Sequence, residues 1–224
     1  MRMARKRQAP GGGTAVEVEP ERLRRWLDRF AERNDGVLRT ELDPRQVRFT
    51  GGNGVTATVP IPFEPLAVEP GTCVDGASVE VLLDHVEKPR RIGLLLARLG
   101  GHSVGVAEGG RVTVSRTDRR LVHGRNAAGG WSQQRFARRR DGQARQALRA
   151  AADDTADVLG SRIADLDAVV LGGDRRALDE LKTDRRLADV FAKAEPRVLD
   201  VAEPRRTVLD EAAQRARAVE IIVR

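Results

Sequence analysis

Residues 91 to 116 read Arg-Ile-Gly-Leu-Leu-Leu-Ala-Arg-Leu-Gly-Gly-His-Ser-Val-Gly-Val-Ala-Glu-Gly-Gly-Arg-Val-Thr-Val-Ser-Arg, and this stretch decides the fold. Ile92 to Leu99 is a nearly continuous apolar run, the signature of a strand buried on both faces. Gly100-Gly101 supplies a turn, and His102 to Ala107 is a second strand. Glu108-Gly109-Gly110 turns again into Arg111 to Arg116, where Val112 and Val114 alternate with polar neighbours. The spacing predicts a three-stranded antiparallel meander.

Working outward, residues 121 to 140 form a glycine-bearing loop that runs into an arginine-rich helix. Gly124, Gly129 and Gly130 free the loop backbone, and Ser132 is placed as the cap of a helix reaching Leu159, opened by Gln133 and Gln134. Between His123 and Trp131 no apolar side chain exceeds alanine, so the loop is expected to project into solvent. Further strands are predicted at Asp167–Leu171 and Arg197–Val201. Helices are predicted at Asp174–Leu181, Leu187–Ala194 and Thr207–Val223. The resulting order, β-β-β-α-β-α-β-α, is that of a ribonuclease H-like layered fold, a mixed sheet with helices against it. The fold class is α+β.

Ahead of this lies a different pattern. Pro20 opens a predicted helix over Glu19–Asn34, with Leu23, Trp26, Leu27 and Phe30 at helical spacing; Trp26 and Phe30 read as core anchors. Gln46–Thr50 and the alternation of Val55, Ala57 and Val59 read as strands around Gly51-Gly52-Asn53-Gly54. Val79–His85 is a short strand or helix. The expected organisation is a disordered basic tail over residues 1–17, an N-terminal α+β subdomain over 18–88, and a second domain over 89–224 joined at Lys88-Pro89-Arg90-Arg91.

Composition narrows the function. The formal net charge of this 224-residue chain is +7, which points to a polyanionic partner. Arginine carries nearly all of it and favours bidentate phosphate contacts. Arg119, Arg120 and Arg125 precede the long helix; Arg135, Arg138, Arg139, Arg145 and Arg149 lie on it, with 135, 138, 145 and 149 on one face. Arg116 and Arg140 extend the ladder. Cys73 is the sole cysteine, so an internal disulfide is excluded and a reducing cytoplasm is the default. His85, His102 and His123 show no ligand spacing with it, and no metal or cofactor is expected. No apolar run reaches the ~20 residues needed to cross a bilayer. Gln8–Gly13 replace an apolar h-region, so a signal peptide is not expected.

Enzyme readings of other kinds fare poorly. A two-metal nuclease on this fold needs an acid in the first strand, and Arg91–Arg98 has none. Asp153, Asp154 and Asp157 read as a solvated helix face. Gly101-His102-Ser103-Val104-Gly105 fits the Gly-x-Ser-x-Gly pattern, but that elbow needs a helix after the serine and the sequence continues as strand. Gly172-Gly173-Asp174, between a strand and a helix, reads as a turn rather than an anion site.

Three motifs carry a resemblance: the loop His123-Gly124-Arg125-Asn126-Ala127-Ala128-Gly129-Gly130, the helix start Arg135-Phe136-Ala137-Arg138, and Asp167-Ala168-Val169-Val170-Leu171-Gly172-Gly173. In this order they resemble the catalytic middle domain of archaeal and eukaryotic class-1 peptide release factors. More closely, they resemble the bacterial branch of the Vms/Ankzf-like release-factor (VLRF) family, peptidyl-tRNA hydrolases of ribosome-associated quality control. The resemblance covers about residues 90 to 224. It implies a metal-independent hydrolase that meets the large ribosomal subunit, its rRNA and peptidyl-tRNA in the cytoplasm, a monomer off the ribosome, with no membrane involvement. Release factors carry Gly-Gly-Gln at the loop tip, where ungapped alignment here puts Trp131. The Gly-Ser-Gln variant of the Vms-like proteins matches Trp131-Ser132-Gln133 after a two-residue shift. Gln133 is therefore the expected catalytic amide and Gln134 the fallback, with Gly124, Gly129, Gly130, Trp131 and Ser132 forming the catalytic loop. The alternative reading is a non-catalytic rRNA- or ribosome-binding module in which Trp131 stacks on a base.

Overall fold

The computed structural model describes residues 6–98, 100–119 and 132–224. In chain order the elements are β1 (Lys6–Gln8), β2 (Thr14–Val18), α1 (Pro20–Arg33), β3 (Val37–Asp43), β4 (Gln46–Gly51), β5 (Thr56–Pro60), β6 (Thr72–Asp75), α2 (Glu80–Glu87), β7 (Arg91–Arg98), β8 (Gly101–Glu108), β9 (Arg111–Arg119), α3 (Ser132–Val158), β10 (Ala168–Gly173), α4 (Arg175–Lys182), α5 (Ala188–Ala192), β11 (Ala194–Leu199), α6 (Arg206–Arg217) and β12 (Val219–Val223). They divide into one unit reaching Pro89 and including Arg217–Arg224, and another spanning Arg90–Ala216.

The first unit is a seven-stranded sheet in the order β1-β2-β12-β5-β4-β3-β6. Pro20 occupies the first turn of α1, and Leu23, Leu27 and Phe30 recur at three- and four-residue spacing to bury one face. Trp26 stacks on Phe30 with ring centroids 5.8 Å apart, as expected of core anchors. The helix ends where the Gly36 amide donates to the Ala31 carbonyl at 2.9 Å with Gly36 at φ 83°. The helix packs into a core with Val47, Phe49, Val59 and Ile221.

Two expectations change here. The basic tail expected over residues 1–17 supplies β1 and β2 among its described residues; Ala15 and Val16 are buried, and the hairpin turns on Gly11-Gly12-Gly13, all at positive φ. The helix expected to run through Val223 stops at Arg217. Val219–Val223 pairs antiparallel with β2 and β5 instead, because a run of Val, Ile, Ile and Val fits a pleated surface better than a helix.

The second unit is the expected layered fold. Its five-stranded sheet runs β11-β10-β7-β8-β9. β7, β8 and β9 form the antiparallel meander, while β10 lies parallel to both β7 and β11. Ile92 to Ala97 are all buried, as a central strand covered on both faces requires. Gly93 makes room for helix packing: a Cβ there would sit 2.9 Å from Leu166 and 3.2 Å from Leu159. Leu95, Val104, Val106, Leu159, Val169, Leu178 and Leu187 share one core.

Candidate functional site

The strand pairing Arg98↔Gly101↔Arg119 marks one end of the second unit's sheet. β9 finishes there, and β7 and β10 also end there, since Gly173 pairs with Ala97. α3 is anchored at the same end. Asp154 accepts from His102 Nε2 at 2.8 Å, and His102 pairs across the sheet with Ala97 and Asp118, one residue in from that end. Five residues on, Leu159 lies over Gly93, deeper along the sheet. The N-terminal direction of α3 therefore points past the sheet end. Counting from Asp154 back to Ser132 at 1.5 Å per residue gives about 33 Å of helix.

The anchoring is specific. Ala147, Ala151, Ala152, Thr155 and Val158 bury one face of α3. Arg186 Nη1 reaches Asp153 at 2.8 Å, and Arg116 Nη1 reaches Asp154 at 3.1 Å and Asp157 at 2.7 Å. Asp154 feels opposing influences. Burial works to raise its carboxyl, while the hydrogen bonds and charges of His102 and Arg116 lower it; the balance leaves it below the ordinary carboxylate value. Going the other way, Arg145 and Gln146 are exposed, and a side chain at Gly142 would meet nothing within 4 Å.

The expected site residues fall on this arm as follows. Arg119 closes β9. Arg120, Arg125, Gly124, Gly129, Gly130 and Trp131 lie outside the described residues. Ser132, expected as the cap, is the first helical residue, a boundary one position earlier than expected. Gln133 and Gln134 lie in the first turn of α3, and Arg135, Arg138 and Arg139 in the next two. Arg145 and Arg149 are exposed without an acidic partner among the described residues.

Several sequence readings resolve against their geometry. Arg116 is not a free member of the ladder but is tied to two aspartates. Asp153, Asp154 and Asp157 are not merely a solvated face: each meets an arginine, and Asp154 also meets a buried histidine. Ser103 is buried mid-strand, its Oγ 2.6 Å from Thr117 Oγ1, so no nucleophile elbow exists there. At Gly172-Gly173-Asp174 the N-terminus of α4 is capped by its own chain, with the Arg176 amide donating to Asp174 Oδ1 at 3.0 Å. The His102–Asp154 pair is what sequence reasoning missed. Its one signal is parity, since His102 shares a strand face with Val104 and Val106.

Among the described residues no helix is long and apolar enough to cross a membrane, and no group of three or more His, Cys, Asp or Glu is arranged to hold a metal.

Comparison with known proteins adds the following. Residues 90–222 match the family model described as "Actinobacteria/chloroflexi VLRF1 release factor". A search of the curated proteins found no match. Among solved structures, the chain is similar to one described as an archaeal protein (16% identity, TM-score 0.40, covering 73% of this chain and 48% of that one). It is also similar to the archaeal translation termination factor aRF1 (15% identity, TM-score 0.45, 89% and 73%). A third is Pelota of Archaeoglobus fulgidus (15% identity, TM-score 0.32, 97% and 68%). The chain spans about half the length of the first of these.

Proposed function

This chain belongs to the Actinobacteria/chloroflexi VLRF1 release-factor family, and we propose that it is a peptidyl-tRNA hydrolase that frees nascent chains from stalled large ribosomal subunits in the cytoplasm. The observation that carries this reading is the family match, because its span of residues 90–222 takes in β9, residues 120–131 and α3. The arm supports it. A helix running about 33 Å from Asp154 to Ser132 suits a group that must reach a buried centre in a large particle. Exposed Arg145 and Arg149 suit a phosphate-lined path.

In this reading the arm enters the vacant aminoacyl site and delivers the tip to the ester joining peptide and terminal ribose. Water attacks the acyl carbon, the bond to the ribose oxygen breaks, and the proton passes to that oxygen. The products are a free carboxylic acid and a deacylated tRNA. A backbone or side-chain group of Gln133, or failing that Gln134, positions the water and steadies the developing oxyanion. Rate enhancement then comes from positioning and electrostatics, without a protein nucleophile.

The test has two parts. Co-sedimentation with 70S, 50S and 30S particles is expected to place the protein with 50S. Stalled 50S particles bearing labelled peptidyl-tRNA are expected to lose label to the free peptide on its addition. Binding to 50S with no release of label would support the alternative, a non-catalytic ribosome-binding module; neither binding nor release would remove both.

A further inference from the structure

His102, Arg116, Asp154 and Asp157 join three elements at one point: β8 inside the sheet, β9 leading toward residues 120–131, and α3 leading away from them. His102 is 2% exposed and Asp154 24%, so their 2.8 Å contact sits largely out of water, where it is both stronger and more directional than a surface pair. One Arg116 nitrogen serves both carboxylates, one turn of α3 apart. We infer that the four form a positioning clamp that sets the angle of α3 against the sheet and thereby places the far end of the arm; the inference rests on the proposed release activity for its purpose, though not for its geometry.

The lever makes the clamp matter. A tilt of about 10° at Asp154 moves Gly142 by about 3 Å and Ser132 by about 6 Å. Reacting groups tolerate far less, since a misplacement of about 1 Å lowers a rate on the order of a hundredfold. The buried face at 147, 151 and 152 is alanine, with a single side-chain carbon at each position to interlock with its neighbours. The ionic contacts supply the direction that such a face lacks.

Two spin labels test this, with Cys73→Ser removing the exposed native thiol. One is placed at Gly142→Cys, where a side chain meets nothing within 4 Å, and the other at Arg111→Cys at the start of β9. The parent should give a narrow distance distribution. Arg116→Met and His102→Leu should broaden or shift it by about 3 Å. His102→Gln, whose side-chain nitrogen reaches where Nε2 sits, should restore the narrow form. In release assays on stalled 50S particles, Arg116→Met should lower the maximal rate by about a hundredfold or more and leave the half-saturating particle concentration unchanged. Arg116 is half exposed, so its variant remains folded even if His102→Leu does not. Distance distributions that superimpose on the parent overturn the clamp. An inactive parent overturns the proposed function instead, and the distances alone then decide the clamp.

Discussion

Gly173→Ala is a sharp test of how the sheet end is built. Gly173 lies at φ +104°, and a Cβ on it would fall 2.2 Å from the Ala97 carbonyl oxygen and 3.0 Å from the Ala97 carbon. Both neighbours are backbone of β7, which cannot swing aside as a side chain can. That same oxygen also accepts from the Asp174 amide at 2.9 Å, so moving it disturbs the cap of α4. The backbone conformation alone costs about 1–3 kcal/mol in a residue with a Cβ. Losing one or two strand hydrogen bonds to relieve the clash adds about 1 kcal/mol each. The total is about 3 kcal/mol, or roughly 10 °C in Tm for a domain of this size. Gly109→Ala is the control: its φ is +57° but a Cβ meets nothing within 4 Å, so only about 1–2 kcal/mol is expected. Calorimetric melts of both variants decide the matter. If Gly173→Ala is no more destabilising than Gly109→Ala, the close approach of β10 to β7 is not what holds this turn.

Other expectations concern charge. Arg145→Gln and Arg149→Gln should each reduce the slope of log affinity for 50S particles against log salt by about 1; an unchanged slope would show that these exposed side chains meet no phosphate. Asp154 has its carboxyl held below the ordinary value of 3.8 in the folded protein, so it contributes stability above that pH and loses it as pH falls through the depressed folded value. Urea midpoints at pH 6 and pH 2.5 should therefore differ less for Asp154→Asn than for wild type. Equal differences would show that Asp154 is not held by His102 and Arg116.

The second unit was legible because its signals are local. A short apolar run at Ile92–Leu96 fits a strand covered on both faces, and the paired glycines that mark each turn of the meander decide it against a buried helix. The sheet order then follows from β-β-β-α-β-α-β-α. The first unit was harder. β1 and β2 are short, and the partner of β2 on its other side, β12, is some 200 residues away in sequence, so nothing local reveals that pairing. Arg206–Arg217 is rich in alanine and arginine, and its helical pattern blends into Val219–Val223, whose strand character emerges only when β2 and β5 lie beside it. At the site, the arginines of the helix could be read as a face, but the aspartates that engage Arg116 on β9 could not. Arg116 looks like a ladder member until Asp154 and Asp157 are seen within 3.1 Å of it. His102 looks idle until the fold brings up an aspartate 52 residues later.

The amide at the head of α3 is the group on which the proposed release reaction depends most directly. Labelled peptide release from stalled 50S particles should be measured with wild type, Gln133→Ala and Gln134→Ala at equal particle occupancy. Gln133→Ala is expected to lower release by at least about a hundredfold, as removal of a transition-state donor does, while Gln134→Ala stays near wild type. Wild-type release by both variants would contradict the amide mechanism.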